Sequence, residues 1–350
     1  MRRLAGCHHR DGSSLRILPP GRTNTHARDA TTFIRSRWRI GLGGRTDKSP
    51  WTVAGANTIL RTMKLRLHET VDDFCGVALD IYRRDPIAAT AELRQLAVLR
   101  AGLADSDPAP LLVTVWDGQK PIGAALQKPG SPLLCGGLPP AVLDQVVAEF
   151  LNVGIPLTGI QGPSATTAAL AVAWCSATGM VATVGMNQRL YRLQTLRPPA
   201  HVAGHARSAG SGDIDMVAEW VLLFSQEAFG DTLDRAATTR SLQAGKARGD
   251  EFVLWTLPSG PVSLAAVRPP VVGVSRIGPV YTPVTERGHG YGSAVTAAAA
   301  VWAREQAADD VVLFTDLANP TSNGIYQGIG FQPVSDYDRI DFTSVRRCPE

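Results

Sequence analysis

A strand, a glycine-rich loop and a helix follow one another between residues 271 and 302, and this order constrains the fold more than any other segment. Residues 271–281 are rich in β-branched side chains and predict a strand. Gly278 and Pro279 interrupt its end, because proline cannot donate to a ladder and glycine allows a bulge. We therefore expect the strand to splay there. The loop at 287–292 then opens a helix, which presents free N–H groups and a positive dipole end to a phosphate.

A second patterned segment follows the next predicted strand. The pair Asn319-Pro320 predicts a helix start, with Asn as N-cap and Pro at the first helical position. Asn319, Asn323 and Tyr326 are spaced by four and then three residues, so they share one helix face. This face lies downstream of the glycine loop by one helix and one strand.

Together the two segments resemble the GNAT superfamily of acyl-CoA N-acyltransferases. The loop is similar to the acetyl-CoA pyrophosphate motif R-x-x-G-x-G of that family. The later segment is similar to the family signature N-x-x-[AS]-x-x-x-Y-x-x-x-G-F, carried here by Asn319, Ser322, Tyr326, Gly330 and Phe331. The resemblance covers about residues 212–342. It implies an α/β fold in which an amine attacks the acetyl-CoA thioester directly, without a covalent enzyme intermediate.

The resemblance also assigns roles to residues. Val280 and Tyr281 would pair with pantetheine and polarise the thioester carbonyl, and Tyr326 would act as general acid. Two plainer interpretations stay open, namely Asn319 as only an N-cap and Tyr326 as a core aromatic. The acetyl-CoA contacts that the resemblance implies are Val280, Tyr281, Arg287, Gly288, His289, Gly290, Tyr291, Gly292 and Asn319. His289 is expected to contribute its backbone N–H rather than its imidazole.

The general base has no counterpart in the sequence motif. Many relatives carry an acid on the strand before the loop, but residues 271–281 contain none. The acids near the expected acceptor cleft are Glu227, Asp231, Asp234 and Asp316. We assign the base to Glu227, with a solvated carboxylate or a water relay as the alternatives.

The first half of the chain echoes the second. Residues 121–129 align with 261–269 at a shift of 140 positions, and two helices and a hairpin precede both segments. The first half lacks both motifs, however. We therefore expect an α/β protein of tandem GNAT-like domains with mixed central sheets flanked by helices. The predicted domains are a basic disordered leader at 1–62, a degenerate GNAT-like domain at 63–196, a linker at 197–211 and the acetyltransferase domain at 212–345.

Charge is distributed unevenly along the chain. Residues 1–62 hold 12 basic and three acidic residues, a net charge of +9, and the whole chain is +4, so the remainder is −5. The body is therefore not expected to bind nucleic acid. Proline and glycine interrupt the uncharged stretch 151–188, which predicts a buried helix at 165–178 rather than a membrane span. The five cysteines form no C-x-x-C pair, which predicts a reducing, cytoplasmic location and no metal.

The sequence thus predicts an acetyl-CoA-dependent N-acetyltransferase that acts on a primary amine of a small molecule or a peptide. A non-catalytic acyl-CoA-binding regulator is the alternative, since it would keep the glycine loop without turnover. The expected assembly is a monomer or a homodimer.

Overall fold

The computed structural model describes residues 63–103 and 109–344, so the predicted leader at 1–62 lies outside the described residues. The helices are α1 (Val71–Tyr82), α2 (Thr90–Val98), α3 (Leu143–Asn152), α4 (Ser164–Thr178), α5 (Ile214–Phe229), α6 (Arg235–Ala247), α7 (Tyr291–Glu305) and α8 (Pro320–Gly328). The strands are β1 (Met63–Leu67), β2 (Leu111–Asp117), β3 (Lys120–Gln127), β4 (Leu133–Leu134), β5 (Gly159–Pro163), β6 (Val181–Leu193), β7 (His205–Ser208), β8 (Glu251–Leu257), β9 (Gly260–Val267), β10 (Val274–Tyr281), β11 (Asp310–Asp316) and β12 (Phe331–Thr343).

The described part of the chain is built twice from the same series of elements. The first half runs β1-α1-α2-β2-β3-β4-α3-β5-α4-β6, and the second half runs β7-α5-α6-β8-β9-β10-α7-β11-α8-β12. The repeat that the sequence echo predicted therefore extends over both halves. Each half has a β-hairpin around a glycine with positive φ, Gly118 in the first and Gly260 in the second.

Both halves contribute to one sheet of 12 strands, in the order β1-β2-β3-β4-β5-β12-β6-β11-β10-β9-β8-β7. The sheet is mixed, because β4 pairs with β5 and β10 with β11 in parallel while the other neighbours are antiparallel. The sequence led us to expect a separate sheet in each domain. The halves instead exchange their last strands, since β12 pairs with β5 of the first half and β6 pairs with β11 of the second.

The exchanged strands also complete the hydrophobic cores. Tyr191 and Leu193 of β6 lie in the second half's core, which α7 covers. Ile340 and Phe342 of β12 lie in the first half's core, where the Phe342 ring is 6.1 Å from that of Trp174 on α4. Each half therefore buries apolar side chains of the other.

The segment 197–211, expected to be a linker, contains the short strand β7, which pairs with β8 at the edge of the sheet. The helix expected at 165–178 is α4, and its Leu170 and Ala171 are fully buried against the sheet. No helix in the described parts of the chain combines the length and apolar character that crossing a membrane requires.

Candidate active site

The strand that precedes the glycine loop separates from its neighbour near its end. Strand β10 runs parallel to β11 only from Val274 to Ile277. Its register with β9 shifts between Ile277 and Val280, at Gly278, which has φ +144°, and Pro279. Val280 and Tyr281 resume pairing with β9, so their other edge faces the gap that opens toward β11. This is the splayed strand end that the sequence predicted.

The glycine loop leads into α7 through two residues in the left-handed region. Gly288 has φ +85° and Gly290, the N-cap of α7, has φ +81°, conformations that a side chain would strain. The backbone N–H groups of residues 288–293 donate no hydrogen bond to any described residue. They therefore form a group of free donors at the positive end of a 15-residue helix.

His289 and Tyr291 of this loop have different environments. The imidazole is exposed and stacks on the Tyr291 ring, with the ring centroids 5.4 Å apart. Tyr291 is buried at the start of α7. His289 is thus exposed, and the role of its backbone N–H stays a prediction.

Arg287 points back toward α5 and the splayed strand. Its Nη2 donates to Glu227 Oε2 at 2.7 Å, and its Nε donates to the Thr282 carbonyl at 3.0 Å. The guanidinium also lies 5.9 Å from the centroid of the Tyr281 ring. The hydrogen bond to Glu227 raises the pKa of Arg287, which keeps a positive charge at the loop.

The helix of the second motif begins as predicted. Asn319 Oδ1 accepts a hydrogen bond from the Ser322 N–H at 3.0 Å, and Pro320 is the first residue of α8. The Asn323 amide donates to the backbone carbonyls of Asp316 and Asn319, at 2.9 and 2.7 Å. Asn319 is thus the N-cap, and its contact with acetyl-CoA remains a prediction.

Tyr326 lies on α8 with a relative exposure of 8% and packs against Phe331, with the ring centroids 6.3 Å apart. Its hydroxyl makes no hydrogen bond to a described residue, yet this oxygen is not sealed from solvent. Burial raises the pKa of Tyr326 to about 12. The side chain is therefore fully protonated at neutral pH, as a general acid must be.

Three of the four acids considered for the base, all except Asp231, have hydrogen-bond partners within the protein. Glu227 is exposed and paired with Arg287. Asp234 caps α6 by accepting the Ala237 N–H at 2.7 Å, and Asp316 accepts the Ala318 N–H at 2.8 Å. The assignment of the base to Glu227 stays a prediction.

Two residues outside the sequence motifs also reach this region. The Tyr191 hydroxyl on β6 donates to Asn323 Oδ1 at 2.8 Å and accepts from Gln327 Nε2 at 2.9 Å, so the first half supports α8. Arg197 lines an open groove of about 490 Å³ between Pro198-Pro199 and the helices α7 and α8. Sequence reasoning missed both, because Tyr191 belongs to the other repeat and Arg197 to the expected linker.

The corresponding part of the first half has no R-x-x-G-x-G glycine loop before its helix. Pro139 and Pro140 precede α3 where the second half has its glycine loop, and neither has an N–H group. The Gly136 N–H donates to Glu92 Oε1 at 2.9 Å, and the Gly137 carbonyl accepts the Ala124 N–H at 3.1 Å. At this position the described residues of the first half therefore lack two of the N–H donors that the glycine loop has in the second half.

Comparison with solved structures identifies the fold of the chain. No protein-family model matches the sequence, and no curated protein sequence matches it. A GNAT-family acetyltransferase from Colwellia psychrerythraea aligns with a TM-score of 0.53 and 14% identity, over 80% of this chain and 98% of its own.

Two further solved structures agree with this likeness. A GCN5-related N-acetyltransferase from Sphaerobacter thermophilus has a TM-score of 0.52 and 16% identity, over 81% of this chain and 97% of its own. A tandem GNAT protein from the clavulanic acid biosynthesis pathway has a TM-score of 0.51 and 14% identity, over 81% of this chain and 98% of its own. The expected fold class is thereby confirmed: the chain has a tandem GNAT fold.

Proposed function

We propose that this tandem GNAT fold is an acetyl-CoA-dependent N-acetyltransferase whose second half carries the reaction. The observation that carries the proposal is the convergence of three features at one end of the sheet. Free N–H groups open α7, β10 splays from β11, and a protonated Tyr326 lies on the next helix. The first half has Pro139 and Pro140, which have no N–H group, in place of this glycine loop.

The donor side of the site suits a pyrophosphate and an extended amide chain. The N–H groups of residues 288–293 would hold the pyrophosphate oxygens, with the helix dipole adding to the attraction. The free edge of Val280 and Tyr281 would pair with pantetheine. The exposed Arg197, at the groove beside α8, offers a further cation for a phosphate of the coenzyme.

The chemistry follows from these positions. Acetyl-CoA supplies the thioester, and the acceptor supplies a neutral amine nitrogen that forms the new C–N bond as the C–S bond breaks. A free backbone N–H at the splayed strand would stabilise the negative charge that develops on the carbonyl oxygen. The Tyr326 hydroxyl would give its proton to the leaving thiolate and later recover one from solvent. The amine proton would leave to the base.

We propose Glu227 as that base, either directly or through a water. Glu227→Gln should then lower kcat and change the pH–rate profile. Arg287→Gln is the matched control, because it breaks the same ion pair but keeps the carboxylate. An unchanged pH profile in Glu227→Gln would remove Glu227 from the mechanism.

A non-catalytic acyl-CoA-binding regulator is the second candidate. One observation favours it, namely that Glu227, Asp234 and Asp316 each make a hydrogen bond within the protein. A regulator needs the donor cluster and the groove but no base. The two candidates differ only in turnover.

A panel of small-molecule and peptide amines, incubated with the full chain and acetyl-CoA, separates these candidates. Free thiol release and a mass shift of the acceptor by one acetyl group are the two measurements. We expect both signals with at least one primary amine. Saturable binding of acetyl-CoA without thiol release on any acceptor would instead identify a regulator, and absence of binding would refute both.

A further inference from the structure

A group of arginines meets where the first half packs on the second. Arg94 on α2, Arg268 directly after β9 and Arg276 on β10 line a small cavity of about 10 Å³. We call these three residues the arginine cluster. A fourth arginine, Arg248, interacts electrostatically with Arg268. The cavity thus lies between a helix of one repeat and two strands of the other.

The acids beside the cluster do not balance its charge. Asp250 is 3% exposed and accepts a hydrogen bond from Arg94 Nη2 at 2.7 Å. Arg268 Nη1 lies 3.2 Å from the same carboxylate oxygen, but it is not oriented to donate a hydrogen bond. The Arg276 guanidinium makes no hydrogen bond or ion pair with any described residue, although Glu92 and Asp250 attract it electrostatically. Asp250 therefore serves two of the guanidinium groups and leaves Arg276 unpaired.

Glu92, the second acid near the cluster, is 1% exposed and compensates little of this charge. Its Oε1 accepts the Gly136 N–H, and its Oε2 has no hydrogen-bond partner among the described residues. Burial raises the pKa of Glu92 to about 7, so the carboxyl carries only part of a negative charge at neutral pH.

Burial also acts on the arginines. It lowers the pKa of Arg276 to about 10, with the positive charges of Arg268 and Arg94 as the next causes. At neutral pH all the guanidinium groups remain charged. A guanidinium N–H that is removed from water without a hydrogen-bond acceptor is destabilising, and Arg268 Nη1 is in this situation among the described residues.

We propose that the arginine cluster binds a small monovalent inorganic anion, with chloride as the ligand, and that this anion joins the two halves. The anion would accept hydrogen bonds from the Arg276 guanidinium and from Arg268 Nη1, which donates no hydrogen bond to a described residue. The cavity has room for about one water-sized species, which fits a halide but no nucleotide or coenzyme.

Such an anion would affect both the assembly and the neighbouring site. Arg94 of the first half lines the same cavity as Arg268 and Arg276 of the second half, so the charge of one ion would attract all three and hold α2 against β9 and β10. Arg276 and Val280 also lie on the same strand, β10. An anion that fixes β10 therefore fixes the strand whose end splays toward the proposed donor site.

Thermal unfolding of the full chain in sodium chloride and in sodium gluconate, at equal ionic strength, tests the proposal. Equal ionic strength removes general screening, and gluconate is too large for the cavity. We expect a saturable rise in Tm of about 2 °C in chloride over gluconate at tenfold excess over Kd. Equal Tm values in the two salts would refute the site. A rise in sulfate but not in chloride would also refute it.

Charge variants should shift the chloride affinity in opposite directions. Arg276→Gln removes an anion donor and should weaken chloride binding about tenfold. Glu92→Gln removes negative charge beside Arg276 and keeps an acceptor for the Gly136 N–H. This variant should therefore bind chloride more tightly. Arg240→Gln, an exposed arginine on α6, is the matched control and should leave the affinity unchanged.

A second measurement does not depend on the stability of any variant. Chloride-35 NMR on the wild-type chain should show line broadening that bromide reverses by competition. Absence of broadening would contradict the proposal even if Arg276→Gln failed to fold.

Discussion

The role proposed for Tyr326 depends on the surroundings of a single side chain. An isolated phenol is already a weak acid, and burial makes this one weaker, with its pKa raised to about 12. The proton therefore stays on the oxygen throughout the usual assay range and is available when the thiolate leaves. The kcat–pH profile should show no alkaline fall due to Tyr326 below pH 10.

We predict that Tyr326→Phe lowers kcat by about 10²–10⁴-fold, the usual contribution of a general acid, while KM for acetyl-CoA changes little. Tyr337→Phe is a matched control, because that hydroxyl is also buried but donates to the Ala88 carbonyl at 2.6 Å instead. Steady-state measurements of kcat and KM on both variants test this prediction. If both lose activity equally, Tyr326 has no special role.

At the scale of elements, the loop before α7 depends on glycine conformations. A Cβ on Gly290 would lie 3.1 Å from Val202 Cγ2, at a residue with φ +81°. The N–H groups that open the helix would then be displaced. Losing one hydrogen bond to a charged group costs about 1.5–3 kcal/mol.

We therefore predict that Gly290→Ala raises KM for acetyl-CoA by roughly tenfold or more, with a smaller effect on kcat. Gly179→Ala serves as the control, because Gly179 also has positive φ, at the end of α4, and no atoms crowd its Cβ position. It should lower Tm without changing KM. The same KM for both variants would mean that the loop does not hold the donor.

These elements could be predicted from the sequence because their signals are local. The Asn319-Pro320 pair fixes a helix start, and Gly278-Pro279 fixes an interruption, whatever lies around them. The Tyr191 bond to Asn323 and the Arg94 bond to Asp250 could not be predicted in this way. Each joins residues more than 130 positions apart, and only the exchange of strands and the packing of the halves bring them together.

The whole molecule is bound together by its central strands. Strands β6 and β12, each of 13 residues, pair with one another along their length and each with a strand of the opposite half. Burying one large apolar side chain contributes about 1.5–3 kcal/mol, and Tyr191, Leu193, Ile340 and Phe342 are all buried in the opposite core. The domain boundaries predicted from the sequence remain predictions for the repeats, but neither repeat closes a core without the other.

We predict that a chain with a protease site inserted between Ala200 and His201, which are both exposed, stays assembled after cleavage. The cleaved protein should elute from a sizing column with the intact chain and separate into two fragments only in denaturant. Two fragments that part on the column under native conditions would show that the shared sheet is too weak to hold the halves.

The strand order reads the same from either end when each strand is replaced by its counterpart in the other repeat. A single repeat with such geometry would pair with a second copy as a symmetric dimer with swapped ends, and dilution would separate the copies. Fusing them makes the encounter intramolecular and gives each swapped end a fixed effective concentration. It also frees the two copies to diverge, so that one can keep a phosphate-binding loop while the other loses it and evolves only as its scaffold.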